Sequence, residues 1–326
     1  IMLKSDDLIN KVKSYNKFLN PETLNKAYLF AIKAHENQKR DSGDPYVIHP
    51  VAVANILTEL KLDRATIATG LLHDTIEDTH ATYQTIKSEF GQEVADLVEG
   101  VTKISVFENQ ASSNSKAENF RKLILATSRD IRVLLVKIAD RLHNMRTINS
   151  INDIEKRQRI AKETMEIYSP LADRMGMNRI RDELEDLSFD VLNSKARKLI
   201  KDRLDLIKDN NLISFNDVSD KLLNLLKENN IKAKIFGREK TPFSLWRKVQ
   251  EKRISLEQIT DIIGFRIIVD DITSCYKALG VFHSKWNCIP GRFKDYISSP
   301  KINGYKSIHT SVIGSYKKPI EIQIRT

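Results

Sequence analysis

The order of hydrophobic and polar positions divides the chain into a helical part and a later part that contains strands. Up to about residue 200 the patterns are typical of helices, as in PETLNKAYLFAIKAHENQ, HPVAVANILTEL, TYQTIKSEFG and EKRQRIAKETMEIYSPLADRMG. From about residue 215, short, β-branched and partly alternating segments predict strands: IKAKIFG, DIIGFRIIVDD, SIHTSVIG and PIEIQIRT. The pattern therefore predicts an all-α domain followed by an α+β domain.

Three local features predict where helices begin and end. Pro21 suits the first turn of a helix, because its missing N–H needs no partner there. Gly91 is a favourable helix stop. The segment SVFENQASSNSKAEN, residues 105–119, is polar and rich in Ser and Asn, so we predict a mobile loop between two helices.

One helix carries a polar pair where an apolar residue is expected. The segment ATIATGLLHDTIED is apolar on almost every side and includes His73 and Asp74. A helix without a polar face is normally buried, and a buried imidazole and carboxylate are costly without partners. Asp140 interrupts a second apolar helix, VLLVKIADRLHN, and His49 opens a third. Two imidazoles and two carboxylates suit Mn, Fe or Zn.

A second pair of acids lies one helical turn further on. Glu77 and Asp78 follow His73 and Asp74 by four residues each, which places them over the first pair if the helix continues. They are candidates for orienting a metal-activated water and moving protons. The alternative is an ordinary hydrogen-bonded pair at His73 and Asp74, with Glu77 and Asp78 at a solvated helix end.

Composition narrows the class of protein. The net charge is +10 in 326 residues, which favours a polyanionic partner such as a nucleic acid or a highly phosphorylated nucleotide, although a Lys-rich solvated surface is an equal alternative. No apolar run reaches the roughly 18 residues of a membrane span, and the N-terminus lacks the pattern of a signal peptide. Cys275 and Cys288 are too few for a disulfide framework. We expect two or more domains in a soluble, cytoplasmic protein.

The motifs together resemble the RelA/SpoT family of bacterial stringent-response enzymes. The resemblance runs from about residue 20 to Thr326 through HPVAVA, LLHDTIEDT, KIADRLHNMRT, AENFRK, ETMEIYSPLADRMG, GREK, RFKDYISSPKINGYKSIHTS and EIQIRT. It implies an HD-type hydrolase domain over residues 1–150, a central helical bridge over 151–200, and a nucleotidyltransferase-like synthetase domain with a mixed sheet over 201–326.

The resemblance also implies two opposed activities and their site residues. One is Mn²⁺-dependent hydrolysis of (p)ppGpp to GDP or GTP and pyrophosphate, and the other is Mg²⁺-dependent transfer of pyrophosphate from ATP to the 3′-hydroxyl of GDP or GTP. In the hydrolase, the implied Mn²⁺ ligands are His49, His73, Asp74 and Asp140. Glu77 and Asp78 would serve the hydrolytic water. The implied nucleotide contacts are Arg40, Ser42, Tyr46, Asn144 and Thr147.

For the synthetase, the resemblance implies that Asp261 holds Mg²⁺ and that Glu321 activates the 3′-hydroxyl. The implied ATP-phosphate contacts are Arg238, Lys240, Lys248 and Arg266, and the implied acceptor contacts are Lys294, Lys301, Tyr305, which stacks on guanine, and His309. Gln323 is a further predicted nucleotide contact of the synthetase. The alternation in IEIQIR also puts Glu321 and Gln323 on one strand face and the isoleucines on the other. The alternative is that this alternating charge only solvates an edge strand.

Other features bear on which activities the chain has. The R-x-K-D pattern at Arg292 to Asp295 accompanies bifunctional members of the family. Thr241 and Phe243 stand where relatives usually have His and Tyr, and the chain stops after EIQIRT, so we expect weak synthetase activity. TGS and ACT regions, through which relatives sense ribosomes and other regulators, are not in the sequence.

Three alternatives stay open on sequence grounds. The first is a hydrolase whose synthetase domain is inactive. The second is a regulator without catalytic activity that binds nucleotide or RNA. A steep salt dependence of RNA binding would distinguish it. The third is a related HD phosphohydrolase that acts on another nucleotide, which would leave the synthetase motifs unexplained.

Overall fold

The chain forms two units in the computed structural model, which describes residues 3–110, 130–209, 215–253, 263–301, 304–314 and 319–326. The units are Ile1–Leu192 and Asn193–Thr326. In the described residues the first unit is helical, and the second combines helices with one mixed sheet. The predicted fold class, an all-α domain followed by an α+β domain, is confirmed.

The first unit is built of helices around one apolar core. Its α-helices are α1 (Ser5–Lys13), α2 (Glu22–Ala34), α3 (Ile48–Glu59), α4 (Arg64–Leu72), α5 (Thr75–Asp78), α6 (Tyr83–Phe90), α7 (Gln92–Gln110), α8 (Ile131–Arg146), α9 (Ile154–Glu163), α10 (Ser169–Arg174) and α11 (Asn178–Leu192). A 3₁₀-helix, Ile148–Ser150, follows α8, and a π-helix, Thr164–Tyr168, joins α9 to α10. The buried apolar side chains form one cluster that extends from Leu8 to Leu184.

Residues of the predicted bridge contribute to that same core. Ala161, Tyr168 and Leu184 are buried with the side chains of the preceding helices. The boundary between the two units follows Leu192, and the next helix, Ser194–Asp209, belongs to the second unit. The packing therefore divides the chain after Leu192. The domain boundaries at residues 150 and 200, which the family resemblance implies, remain predictions.

Helix α4 is buried along its length, as its apolar sequence predicts. Every residue from Ala65 to Leu72 is buried. Asp63 caps its N-terminus, where a carboxylate oxygen accepts from the backbone N–H groups of Ala65 at 3.1 Å and Thr66 at 3.3 Å. Such a cap satisfies N–H groups that have no partner within the helix. The buried helix thus delivers His73 to the interior of the unit.

The predicted helix stop at Gly91 is confirmed, but the predicted loop over residues 105–119 is partly wrong. Gly91 has φ +89° and follows the last residue of α6. Helix α7 continues to Gln110, and residues 111–129 lie outside the described residues. The helix continues because Ile104 is buried and Ser105 accepts a hydrogen bond at 3.0 Å from Lys137 of α8. These tertiary contacts override the weak helix propensity of the polar segment.

The second unit contains a mixed sheet with helices packed on one face. Its strands are β1 (Ala233–Glu239), β2 (Ile263–Val269), β3 (Asn287–Cys288), β4 (Lys294–Asp295), β5 (Ile308–Ile313) and β6 (Pro319–Arg325). The order is β1-β2-β6-β5-β3, with β4 also paired to β5. Strands β2 and β6 are parallel, and the other pairs are antiparallel. The helices are α12 (Ser194–Asp209), α13 (Phe215–Glu228), α14 (Pro242–Lys252) and α15 (Ile272–Lys285).

Burial along β6 alternates as its sequence predicts. Ile320, Ile322 and Ile324 are buried, whereas Glu321 and Gln323 are partly exposed. The isoleucines join an apolar cluster with side chains of β2, β5, α13 and α15. The opposite face of the sheet is therefore left for polar side chains. In the part of the chain that the structure describes, every helix is too short or too polar to cross a membrane.

Gly70 permits a close approach of α4 to α3. A Cβ atom at Gly70 would lie 2.6 Å from Leu57 Cδ1 and 3.3 Å from the Ala54 Cα. We expect Gly70→Ala to lower the free energy of unfolding by about 1–3 kcal/mol, because overpacking displaces a helix backbone. Gly280→Ala is the matched control, since a Cβ there meets nothing within 4 Å. It should raise stability by about 0.5–1 kcal/mol. Urea denaturation measures both, and equal effects would contradict the close approach.

The cap at Asp63 should make stability depend on pH. Burial acts to raise the pKa of Asp63, but hydrogen bonds from Thr66 and the charge of Arg132, 3.2 Å away, lower it below its ordinary value. A lowered pKa in the folded state adds stability above the unfolded pKa of about 3.9, and this stability is lost as the pH falls through the folded pKa.

We therefore expect Asp63→Asn to lower the free energy of unfolding by about 0.5–1 kcal/mol at neutral pH, because the partly exposed charge is screened by water. Asparagine keeps the capping oxygen, so the difference reports the negative charge together with the hydrogen bond that the other carboxylate oxygen accepts from the Thr66 hydroxyl. The gap from the wild type should close as the pH falls below about 4. Urea denaturation at a series of pH values tests this, and a gap of constant size would refute the assignment.

Candidate active sites

The structure brings four predicted metal ligands together in the first unit. His49 lies in the first turn of α3, His73 and Asp74 follow α4, and Asp140 lies in α8. His49 Nε2 is 3.1 Å from Asp140 Oδ1 and 3.5 Å from Asp74 Oδ2. His73 Nε2 is 3.0 Å from Asp74 Oδ1 and 3.9 Å from Asp140 Oδ1. Ligand atoms of His49, His73 and Asp140 all lie within 4.8 Å of one another.

The hydrogen bonds of His73 direct a lone pair toward this cluster. His73 Nδ1 is 2.9 Å from the Gly70 carbonyl oxygen. A carbonyl oxygen can only accept, so Nδ1 carries the proton and Nε2 of the neutral ring carries the lone pair. Among the described residues, Nε2 is buried and has no hydrogen-bond partner. A buried nitrogen in this state calls for a ligand.

A parallel argument applies to His49. Arg40 Nη1 is 3.2 Å from His143 Nδ1, and a guanidinium can only donate, so His143 Nδ1 accepts. His49 Nδ1 is 2.7 Å from the same nitrogen and therefore donates to it. His49 Nε2 is left with its lone pair, facing Asp140. Burial lowers the pKa of His49, and the carboxylates of Asp140 and Asp74 do not offset this effect.

The four groups fit a divalent cation better than they fit one another. Two imidazole lone pairs that face two carboxylates repel them unless positive charge lies between. Burial acts to lower the pKa of His73, but Asp74 and Asp140 raise it to about 9. Without a cation, a proton on His73 would supply part of the missing charge. A set of two nitrogen and two oxygen donors suits Mn, Fe or Zn.

Sequence reasoning missed two residues next to Asp140. Lys137 is buried and donates to Asp140 Oδ2 at 3.1 Å and to Ser105 at 3.0 Å. His143 Nδ1 is 2.7 Å from His49 Nδ1. Both lie three residues from Asp140 on α8, on the face that also carries Asn144, and this spacing could have found them. Burial acts to raise the pKa of Asp140, but Lys137 and the two imidazoles lower it well below its ordinary value.

The predicted catalytic Asp78 is tied to the metal ligands through Tyr46. The Tyr46 hydroxyl is 2.8 Å from both Asp74 Oδ2 and Asp78 Oδ2. A hydroxyl has one proton, so it serves the two carboxylates in turn. Burial and both carboxylates raise the pKa of Tyr46, and the phenol keeps its proton. Gln38 Nε2 donates to the Asp78 carbonyl at 2.6 Å, which holds the backbone as well.

The Glu77 carboxyl group has Lys137 and Ser105 among its neighbours. Burial of its carboxyl group raises the pKa of Glu77 above its ordinary value, although Lys137 and a hydrogen bond with Ser105 act to lower it. The two acids therefore have different surroundings. A raised pKa suits a group that holds a proton and gives it up, whereas a carboxylate held by a phenol suits a proton acceptor.

The predicted nucleotide contacts of the hydrolase divide into two groups. Each member of the first group contacts a predicted metal ligand or a residue that is hydrogen-bonded to one. These are Arg40, Tyr46 and Asn144. Ser42 lies in an exposed turn, and the Thr147 hydroxyl donates at 3.1 Å to a carbonyl one turn earlier, at the C-terminal end of α8. A contact of any of these residues with nucleotide stays a prediction.

In the second unit, one row across the sheet contains four predicted nucleotide contacts. Arg266 pairs with Gln323, Gln323 with His309, and His309 with Lys294, so their positions share one face. Arg266 Nε is buried and, within the described residues, has no hydrogen-bond partner. A row that combines two cations with an amide and an imidazole suits anionic, hydrogen-bonding ligands.

The predicted base Glu321 lies beside this row. Lys240 Nζ is 3.3 Å from Glu321 Oε2, which brings together a predicted phosphate contact and a predicted base. Lys248 lies in α14, and Arg238 pairs through its backbone with Gly264 in β2, while its side chain lies outside what the structure describes. Asp261, the predicted Mg²⁺ ligand, also lies outside the described residues.

The predicted acceptor residues form an aromatic and cationic cluster. The Tyr305 hydroxyl is 2.9 Å from His309 Nε2. Lys301 Nζ lies 5.3 Å from the centre of the Tyr305 ring and 4.8 Å from that of Tyr296. Arg325 Cζ lies 5.6 Å from the Tyr305 ring centre. Sequence reasoning missed Tyr296, whose ring meets His309 edge-on at 5.2 Å. Cations and ring faces of this kind suit a purine nucleotide.

Comparisons with protein families match both units. Residues 27–178 match the family described as HD domain. Residues 237–326 match the family described as "Region found in RelA / SpoT proteins". The first match includes the four predicted metal ligands, and the second includes most of the mixed sheet.

Individual relatives match the chain almost from end to end. The chain is 50% identical over 325 residues to the "GTP pyrophosphokinase rsh" of Brucella melitensis biotype 1, covering 100% of this chain. It is 48% identical over 303 residues to the "Bifunctional (p)ppGpp synthase/hydrolase SpoT" of Escherichia coli K12, covering 93% of this chain. The chain spans 43% of the length of each relative.

A solved structure also matches the chain. It is described as "A metazoan ortholog of SpoT hydrolyzes ppGpp and plays a role in starvation responses", with 24% identity and a TM-score of 0.40. The match covers 55% of this chain and 97% of that chain.

Proposed function

Because the chain belongs to the RelA/SpoT family, we propose that its two units catalyse opposite reactions of (p)ppGpp. The first unit hydrolyses (p)ppGpp to GDP or GTP and pyrophosphate. The second transfers pyrophosphate from ATP to the 3′-hydroxyl of GDP or GTP. The setting is alarmone metabolism in the cytoplasm during the bacterial stringent response.

The observation that carries the hydrolase proposal is the convergence of two imidazole lone pairs and two carboxylates at one buried point. We assign His49, His73, Asp74 and Asp140 to hold Mn²⁺. When bound, a divalent cation offsets phosphate charge and makes water more acidic at neutral pH. Its ligands must be neutral imidazoles and ionised carboxylates, and the lowered pKa of Asp140 favours the ionised carboxylate.

The proton transfers of hydrolysis fall to Glu77 and Asp78. Attack of water on the phosphorus next to the ribose 3′-oxygen breaks that P–O bond and leaves an oxygen that needs a proton. Asp78, held by Tyr46 and Gln38, accepts a proton from the water. Glu77, with its raised pKa, donates to the 3′-oxygen. We assign Arg40 and Asn144 to contact the nucleotide.

The synthetase proposal rests on the cationic row and the acceptor cluster. When bound, Mg²⁺ offsets charge on the ATP phosphates, and Asp261 is its proposed ligand. Lys240 and Arg266 bind phosphate oxygens, while Lys248 and Arg238 complete the cationic set. Lys301 and the Tyr305 ring hold the acceptor nucleotide, and Glu321 takes the proton of its 3′-hydroxyl.

We further propose that synthesis is weak in this chain. Thr241 caps α14, where its hydroxyl oxygen accepts from the Ser244 N–H at 3.2 Å. Phe243 stacks on Trp246 with ring centres 6.0 Å apart. Both side chains thus have structural contacts. Thr241 lacks the ionisable imidazole of the family's His, and Phe243 lacks the hydroxyl of its Tyr.

The hydrolase proposal makes a direct prediction. Purified protein with ppGpp and Mn²⁺ should release GDP and pyrophosphate, which ion-exchange chromatography resolves. Asp74→Ala should abolish turnover, because a ligand carboxylate is lost. Glu77→Gln should lower kcat by about 10²–10⁴-fold, because the amide cannot transfer a proton.

His80→Ala is the control, since His80 is an exposed histidine in the same unit. It should keep wild-type turnover. Full turnover by Asp74→Ala would remove the metal assignment. A non-catalytic regulator would be favoured if the wild-type protein showed no turnover and its affinity for nucleotide stayed the same after the metal was chelated.

The synthetase proposal predicts AMP formation from ATP and GDP in the presence of Mg²⁺. Glu321→Gln should lower the rate by about 10²–10⁴-fold, because it removes the base. Glu228→Gln, at an exposed glutamate of α13, is the matched control and should have no effect. Chromatography of the nucleotides measures both. No AMP from the wild-type protein would leave a hydrolase with an inactive synthetase domain.

A further inference from the structure

His143 is a buried residue of the first unit to which the proposed mechanism gives no role. It is 8% exposed, and its ring lies 4.9 Å from that of His49, centre to centre. His143 and Asn144 lie three and four residues after Asp140 on α8, so both lie next to Asp140 on one helix face. That face therefore presents a metal ligand together with two residues that contact metal ligands.

The direction of each hydrogen bond at His143 follows from chemistry. Its Nδ1 is 3.2 Å from Arg40 Nη1 and 2.7 Å from His49 Nδ1. Since the guanidinium has no acceptor, His143 Nδ1 must accept from it and therefore carries no proton. In the contact between the two rings, His49 Nδ1 must then be the donor. The proton of His49 is thus fixed on Nδ1, away from the carboxylates.

A metal-binding imidazole needs this arrangement. Only the nitrogen without a proton can coordinate a cation, and the hydrogen bond made by the other nitrogen selects the tautomer. His73 obtains the same effect from the Gly70 carbonyl. His49 has no backbone carbonyl in this role among the contacts of its Nδ1, so an acceptor must come from another side chain.

We propose that His143 is a positioning residue that holds His49 in the tautomer whose Nε2 binds the divalent cation. The inference rests on the proposed function, because it assigns a partner to one of the proposed ligands. It extends that function by naming what keeps His49 ready for the metal.

Arg40 connects this contact to the rest of the site. Its Nη1 donates to His143, and its Nη2 donates to Asn144 Oδ1 at 2.8 Å. Asn144 Nδ2 in turn donates to Asp140 Oδ1 at 2.7 Å. One guanidinium therefore contacts the partners of two proposed metal ligands, and it holds His143 Nδ1 in the role of acceptor.

Two substitutions separate positioning from packing. His143→Asn keeps an acceptor, because its Oδ1 is placed like the Nδ1 of histidine, whereas His143→Leu has the same number and branching of side-chain non-hydrogen atoms as Asn but no acceptor. Mn²⁺ binding to the purified protein is measured by electron paramagnetic resonance of the free ion. We expect His143→Leu to raise the Kd for Mn²⁺ by about 10–100-fold, the usual effect of losing such a partner. His143→Asn should stay close to the wild type.

The matched control is His80→Leu, an exposed histidine of the same unit, which should leave the Kd unchanged. Wild-type affinity in His143→Leu would overturn the proposal, as would an equal loss in the Leu and Asn variants. Absence of Mn²⁺ binding to the wild type would instead overturn the metal assignment of the proposed function.

A second measurement covers the case in which the variants fail to fold. In metal-free wild-type protein labelled with ¹⁵N-histidine, NMR distinguishes ring nitrogens with and without a proton. The proposal expects the proton of His49 on Nδ1 and none on Nε2. A proton on Nε2 alone would overturn it.

Discussion

The first unit depends on one electrostatic constraint, which is that two buried imidazole lone pairs face the buried carboxylate of Asp140 and the largely buried carboxylate of Asp74. Removed from water, such groups repel one another strongly and cannot be satisfied by the apolar side chains around them. The hydrogen bonds from His73 to Gly70 and from His49 to His143 place the proton of each neutral imidazole on Nδ1, so neither neutral ring has an Nε2 proton to give to the carboxylates. A cation relieves it, so the surrounding structure is organised to hold charge and not to avoid it.

The helices meet this constraint by rigid packing. Helix α4 is buried from Ala65 to Leu72, and Gly70 lets it approach α3, which carries His49. Helix α8 then supplies Asp140 together with Lys137, whose ammonium group stabilises the ionised carboxylate. In the second unit charged side chains lie instead on a partly exposed sheet face, where Arg266, Gln323 and His309 are in register, an arrangement that suits an anionic ligand.

Much of this could be predicted from sequence, because it follows from periodicity and from polar residues in apolar helices. The fold class, the stop at Gly91 and the alternation in β6 are of this kind. The contact of His143 with His49 joins residues far apart in the chain, and no local pattern fixes it. Strands β3 and β4 have two residues each, too few for a period. Helix α7 extends through a polar segment because of tertiary contacts that local propensity does not contain.

The central claim is that the four converging groups bind one cation, and crystals grown with Mn²⁺ test it most directly. Anomalous diffraction near the manganese absorption edge locates the ion without reference to the protein. The account predicts one strong peak bounded by His49 Nε2, His73 Nε2 and carboxylate oxygens of Asp74 and Asp140. No peak there, with the imidazoles hydrogen-bonded directly to the carboxylates, would contradict it.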